Sequence, residues 1–526
     1  MLVTMPKRES LPTLSHIVPV LSLLALAACN EHTIKSVEQS GNSTPLQSLP
    51  LDVQRKVDVL LVIDNSSSMG EEQANLAKNF APFIEQLEAV GADYRIAITT
   101  TDRGGPNCAA APTGGRLLAS SCVDRPADFA AAGKDVFEVA CASSCALGDA
   151  ALQRRPTAIA GSDELAVRPW IESANGVSNL PDGVDTLSAF QCLAPQGIAG
   201  CGWEAPLESI ARAIDNMLDE SQPEYGFLRD DALLAVLIVT DEVDCSYRAE
   251  QQDALFDSGA FFAEDMNFAT SAVCWNAGTH CEGDPLACEP ADYDAEGTPT
   301  SDASAAVLHP VSRYTALLQG IADNKLGGRE VLVSLIAGVP DGYPSEPLVF
   351  APSDDPDFQK NYGIGAGCTS EIDGVVQTAV PPVRLRALAE AFPNGGAGLY
   401  SVCSDDYTPA IIDIVDGLTV ELPPACYGAC VLDLDASSEA LDYDCEITQS
   451  VGPDREVLPE CIAGELPEGA DACWIIKTGA DMADACAVVG QNAEFELVRR
   501  KGVAVPEGAN VVAACRVSTR PSIDCA

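Results

Sequence analysis

Basic residues are scarce in this chain: 30 Lys and Arg stand against 78 Asp and Glu, a formal net charge of -48. Phosphate backbones are gripped by clustered Lys and Arg, so this balance argues against a nucleic-acid partner and against peripheral binding to anionic lipid. It suits a soluble surface in contact with divalent cations, although solubility alone accounts for most of the acidity. Histidine is scarcer still, at four residues. His16 and His32 fall in the N-terminal segment and His280 and His309 in loops, so little general-base material is left. No G-x-S-x-G, H-E-x-x-H or P-loop occurs. The glycine-rich stretch 363–367 has no apolar strand leading into it, which argues against a nucleotide-binding turn. There is no C-x-x-C pair, so zinc finds few ligands. Past the N-terminus, no apolar run is long enough to cross a bilayer.

Cysteine, by contrast, is abundant, at 21 in 526 residues. Setting Cys29 aside leaves an even 20, from Cys108 to Cys525. Such a count reads as a disulfide framework of up to ten bridges formed in an oxidising compartment, with connectivity left open. At the N-terminus, Lys7 and Arg8 precede a mainly apolar run over 17–28, too short to span a membrane and typical of a secretory signal. The run ends Leu26-Ala27-Ala28-Cys29, which resembles the bacterial lipobox. That resemblance implies a signal peptide over 1–28, cleavage before Cys29 and lipidation of Cys29. Several acyl chains anchor a protein stably, whereas one is marginal. Asn30 rather than an aspartate follows, which by the same resemblance implies the outer membrane or cell surface. Residues 29–50 are polar and read as a flexible tether.

From there apolar runs and amphipathic stretches alternate. Residues 57–63 are Val, Leu and Ile around a single aspartate. Leu76, Phe80, Phe83, Leu87 and Val90 recur at helical spacing, with Pro82 marking a break. Strands are predicted over 93–101, 232–239, 331–336 and 398–403, and helices over 185–193, 206–218, 385–392 and 409–418. Near-continuous apolar runs such as ALLAVLIV at 232–239 are what strands buried on both faces look like. Alternation of this kind predicts a doubly wound, mostly parallel α/β sheet flanked by helices over 51–420. Cysteine-rich insertions interrupt it at about 103–184 and 246–305. Residues 421–526 carry eight cysteines and short alternating runs, and read as a small disulfide-rich β domain.

The stretch KVDVLLVIDNSSSMG at 56–70 carries the chemistry. An apolar strand breaks into Asp64, Ser66 and Ser68, which puts hard oxygen atoms at the rim of a sheet. In open α/β sheets ligands bind beyond the carboxyl ends of the strands. This D-x-S-x-S pattern, followed by a helix and answered by Thr240-Asp241-Glu242 after a second apolar strand, resembles the von Willebrand factor A (integrin I-like) family. The resemblance implies a metal-ion-dependent adhesion site with Asp64, Ser66, Ser68 and Asp241 as ligands. The ion would be Mg²⁺, or Mn²⁺ or Ca²⁺, all takers of oxygen ligands. A partner carboxylate would complete its coordination. The family's middle-loop threonine is missing: Gly200-Cys201-Gly202-Trp203-Glu204 stands there, and Glu204 is the substitute oxygen, with Thr100, Thr101 and Asp102 as second candidates.

The expected protein is thus a lipid-anchored cell-envelope protein that binds a protein or surface polymer and is not an enzyme. A metal-free structural envelope protein, and a hydrolase with its site in the insertions or C-terminal domain, are the alternatives.

Overall fold

A computed structural model describes residues 46–526 apart from 52–55, 90–91, 107, 109–111, 160–161, 163, 175–176, 327–329, 373–374, 394–397, 422–424, 436, 439, 452–453, 501–509 and 526. The expected signal peptide, Cys29 and residues 29–45 lie outside the described residues.

A seven-stranded sheet forms the centre. Its order is Leu399–Ser401, Val331–Ala337, Leu233–Val239, Lys56–Ile63, Asp93–Thr100, Ile171–Ala174, Val177–Ser178. The first five strands run parallel. The last two are antiparallel to their neighbours. Alternation along the strands splits the core between two faces: Val57, Val59, Leu61 and Ile63 enter one cluster, and Leu60 and Val62 the other. Each such fully buried aliphatic side chain contributes about 1.5–3 kcal/mol relative to exposure. The helix Pro206–Leu218 buries Leu207, Ile210, Ile214 and Met217 with the second cluster. The expected break at Pro82 divides Gly70–Asn79 from Ala81–Ala89.

This topology corrects the expectation of a doubly wound, mostly parallel von Willebrand A-like fold. The central sheet is mixed, and the chain builds five further small sheets, all antiparallel. The reason is physical. Ile171–Ala174 reads IESA, and Cys368–Ile372 with Val375–Ala379 forms a hairpin inside what looked like a loop. Short strands that carry no apolar run leave no periodic mark in the sequence.

Among the described residues, cysteines form ten disulfides. Four close within 426–525: Cys426–Cys486, Cys430–Cys525, Cys445–Cys515 and Cys461–Cys473. This region holds a four-stranded and a three-stranded antiparallel sheet around Tyr427, Trp474 and Phe495. Leu46–Pro50, the last five residues of the expected tether, form the edge strand of the four-stranded sheet, paired with Asn510–Arg516. Among the described residues the chain therefore passes from the C-terminal sheet into the central one. No helix among the described residues is long and apolar enough to cross a membrane.

Candidate functional site

The strands Lys56–Ile63 and Leu233–Val239 are adjacent and parallel, so their carboxyl ends come out side by side. That places Asp64 next to the Thr240–Glu242 turn. Asp64 is fully buried. One of its oxygens accepts from the Ser66 amide at 2.8 Å, and the other from the Thr240 hydroxyl at 2.5 Å. Ser66 Oγ and Ser68 Oγ are 3.1 Å apart. Ser68 in turn lies against Asp241, whose second oxygen, Oδ1, is buried and has no hydrogen-bond partner. The four residues expected to share a site are brought together.

Glu204 reaches the same place from the middle loop. It is 1 % exposed. Its Oε2 accepts from the Thr101 hydroxyl, while Oε1 is buried without a partner. Of the second candidates, Thr101 therefore acts through Glu204. Thr100 pairs with Thr113 at 2.7 Å. Asp102 accepts from the Gly104 amide at 2.7 Å and the Cys201 amide at 3.3 Å, which shapes the loop. The middle loop is tied on both sides. Cys108–Cys201 links it to the loop after Asp93–Thr100, and the Cys245 amide donates to Glu204 O at 2.6 Å. Cys245–Cys274 then holds the loop after Leu233–Val239 to the helix Ala272–Gly278.

Two residues of the site, Gln73 and Glu72, escaped the sequence reading, and a third, Glu242, entered it only as part of the Thr240–Glu242 turn. Gln73 is the clamp between the first and middle loops. Its Nε2 donates to Asp64 O at 2.7 Å and Gly197 O at 2.8 Å, and its Oε1 accepts from the Gln196 and Gly197 amides at 2.8 and 3.0 Å. Glu72 is buried with Oε2 unpartnered, and Glu242 is half-buried. Both read as ordinary acidic residues, one in a helix's first turn and one in a rim loop. The signal that could have found Gln73 and Glu72 is the one-turn offset between them and Met69, which buries them with the site loop. Gly200 is also required. Its amide donates to Asn65 O at 2.9 Å, and a Cβ there would meet Asn65 Oδ1 at 2.3 Å.

Burial raises every carboxyl in this group, and repulsion from a neighbouring carboxyl adds to it at all but Asp64. Burial, opposed by the Thr240 and Ser66 hydrogen bonds, lifts Asp64. Burial and then Asp64 push Asp241 up to about 7, with Ser68 and Lys134 pulling the other way. Glu204 is held well above the carboxylate range by burial and then Asp64, and Glu242 and Glu72 by burial and then Asp241. The Lys134 ammonium donates to Ser67 O at 3.1 Å, and none of the five carboxyls forms a salt bridge among the described residues. Uncompensated buried carboxylates are costly, and proteins satisfy them by protons, partners or metal ions.

Could these residues hold an ion? No group of three or more His, Cys, Asp or Glu among the described residues is arranged to hold one. A set of two aspartates and two serine hydroxyls is a different kind of donor group, all hard oxygen, which suits Mg²⁺, Mn²⁺ or Ca²⁺ kept partly hydrated. The orphaned Asp241 Oδ1 is the observation that fits it. Elsewhere, the acidic stretches at 354–357 and 433–444 satisfy their own backbone: Asp355 caps the helix Pro356–Tyr362, and Asp433 accepts from the Asp435 and Asp442 amides at 3.0 and 3.2 Å.

Neither a family description nor a curated protein matches this chain. Two structures of the pilus adhesin SpaC from Lactobacillus rhamnosus GG, one in an open conformation, are similar at TM-scores of 0.26 and 0.27 with 9% and 10% identity. The match covers 91% of this chain, which spans less than half of the adhesin, 43% and 42%. At that level neither fold nor function is carried across.

Proposed function

We propose that this is a cell-envelope protein, lipid-anchored at the outer membrane or cell surface, that binds a protein or surface polymer through a divalent cation. Asp64, Ser66, Ser68 and Asp241 hold the ion, and Glu204 lies beside them. One observation supports this above the others: Asp241 Oδ1 is buried without a donor, next to a second buried aspartate. A hard cation would satisfy both carboxylates and the serine lone pairs at once. The role is binding rather than catalysis. The ten disulfides suit work outside the cytoplasm, where thiols oxidise.

The test is thermal denaturation with and without chelator. EDTA lowers the melting temperature of the wild type, and Mg²⁺ or Mn²⁺ restores it. With free ion at about 100 times Kd the gain is about 2.7 kcal/mol. Asp64→Ala abolishes the response. Identical melting in EDTA and in Mn²⁺ for the wild type would sink the reading.

A further inference from the structure

We infer that the helix Pro206–Leu218 and the loop after Asp93–Thr100 build a second binding site, one for a small oxyanion, held by Arg103, Arg212 and Arg313. It is separate from the Asp64–Asp241 group and does not depend on the cation reading. Glu208 lies buried in the first turn of that helix. Its Oε1 is 3.2 Å from Arg212 Nε, and its Oε2 accepts from the Arg313 guanidinium and, at 3.1 Å, from the Tyr314 hydroxyl. Two arginines thus occupy both oxygens of one carboxylate. Arg103 is left over. It is 8 % exposed, and no carboxylate forms a salt bridge with it among the described residues. Its Nη1 donates to Tyr247 O and its guanidinium carbon stands 3.9 Å from the centre of the Tyr247 ring, but its Nε is buried without a hydrogen-bond partner. A carbonyl and a ring face supply partial charges, not a counter-ion. Arginine cannot shed its proton to escape, and a buried charge without an opposite partner is costly.

The loop brings Arg103 to the arginine pair by folding against the helix. The Thr113 and Gly114 amides donate to Asp102 O at 3.2 and 3.4 Å. Gly115, at φ +76°, approaches the helix so closely that a Cβ there would meet Ala213 N at 2.4 Å. Arg103 consequently feels repulsion from Arg212 and attraction to Glu208. His309 Nε2 lies 3.9 Å from Glu208. Burial, and then the surrounding arginines against the pull of Glu208, lower His309 to about 4, so its imidazole adds no charge at neutral pH. Three guanidiniums therefore face one carboxylate, a surplus of two positive charges in a chain whose net charge is -48. Guanidinium forks pair with carboxylate, sulfate and phosphate oxygens. The side chains of Arg212 and Arg313 are 34 % and 42 % exposed, so such a group can reach them from solvent. A polyanion would meet the acidic surface around the site, which selects a single anionic group on an otherwise uncharged molecule.

The experiment is thermal denaturation of the full chain in EDTA at fixed ionic strength, with chloride replaced stepwise by acetate, sulfate or phosphate, for the wild type, Arg103→Met and Arg313→Gln. EDTA keeps the Asp64 site out of the measurement. Sulfate and phosphate stabilise proteins in general, so the readout is a saturable rise in melting temperature and its difference between wild type and variant. Arg313 is partly exposed, so Arg313→Gln retains the fold, and far-ultraviolet circular dichroism verifies it for both variants. At least one of the three anions stabilises the wild type saturably, and each variant takes that anion about tenfold more weakly, the loss of one charge-assisted hydrogen bond. Response to acetate alone identifies a carboxylate ligand, and response to sulfate or phosphate a tetrahedral one. No saturable stabilisation of the wild type by any of the three overturns the inference, as does a wild-type response in either variant.

Discussion

Replacing Asp241 by Asn removes a charge from a buried pair while keeping the shape. In the folded chain, burial and Asp64 raise the Asp241 carboxyl from 3.8 to about 7. The native state therefore holds a proton over that interval which the unfolded state has released. Stability is greatest below the unfolded pKa and is lost as pH rises toward the folded one. At about 1.36 kcal/mol per pKa unit, the cost at neutral pH is roughly 4 kcal/mol. Asp241→Asn escapes it. The assay is guanidinium unfolding in EDTA with the disulfides intact, at a series of pH values between about 4 and 8. The variant should be more stable than the wild type at the neutral end, with a shallower pH dependence, since Asp64, Glu72, Glu204 and Glu242 still titrate. It should also lose the stabilisation that Mn²⁺ gives the wild type. A variant less stable than the wild type at neutral pH in EDTA, with the wild-type slope, would refute the reasoning: Asp241 would then be satisfied by a partner rather than awaiting one.

Two further substitutions probe how the site is held. Gln73→Ala strands the Asp64 and Gly197 carbonyls and the Gln196 and Gly197 amides, and should cost at least about 2 kcal/mol in guanidinium unfolding, with weakened Mn²⁺ binding although Gln73 is not a ligand. Arg384→Met breaks a buried pair in which Arg384 Nε lies 3.0 Å from Asp244, three residues beyond Asp241, and should cost about 3–5 kcal/mol.

Much of the central sheet was legible because its strands are buried on both faces. All seven residues of Leu233–Val239 are buried, and their apolar run announces it. The helix Pro206–Leu218 has the boundaries its pattern predicts, with Pro206 where a missing amide costs little. The antiparallel strands were not legible. Ile171–Ala174 takes its place from pairing with Asp93–Thr100, a contact across the sheet that no local pattern encodes. That omission is why a mostly parallel architecture was expected and a mixed one found. Within the site, Asp64, Ser66, Ser68 and Asp241 announced themselves by position at strand ends. Gln73 and Glu72 did not, since a polar residue on a helix looks the same from sequence whether it faces solvent or a buried loop. Disulfide pairing was equally hidden. The even count allowed up to ten bridges, but that Cys201 would pair with Cys108, 93 residues away, depends on where two loops meet.

The central claim is that Asp64 and Asp241 share a cation. Its most direct measurement is titration of the wild type and Asp64→Ala with Mn²⁺, read by electron paramagnetic resonance of the free ion. The account predicts a single saturable site per wild-type chain, released by EDTA and absent from Asp64→Ala. Equal uptake by the two proteins, or none by either, would contradict it.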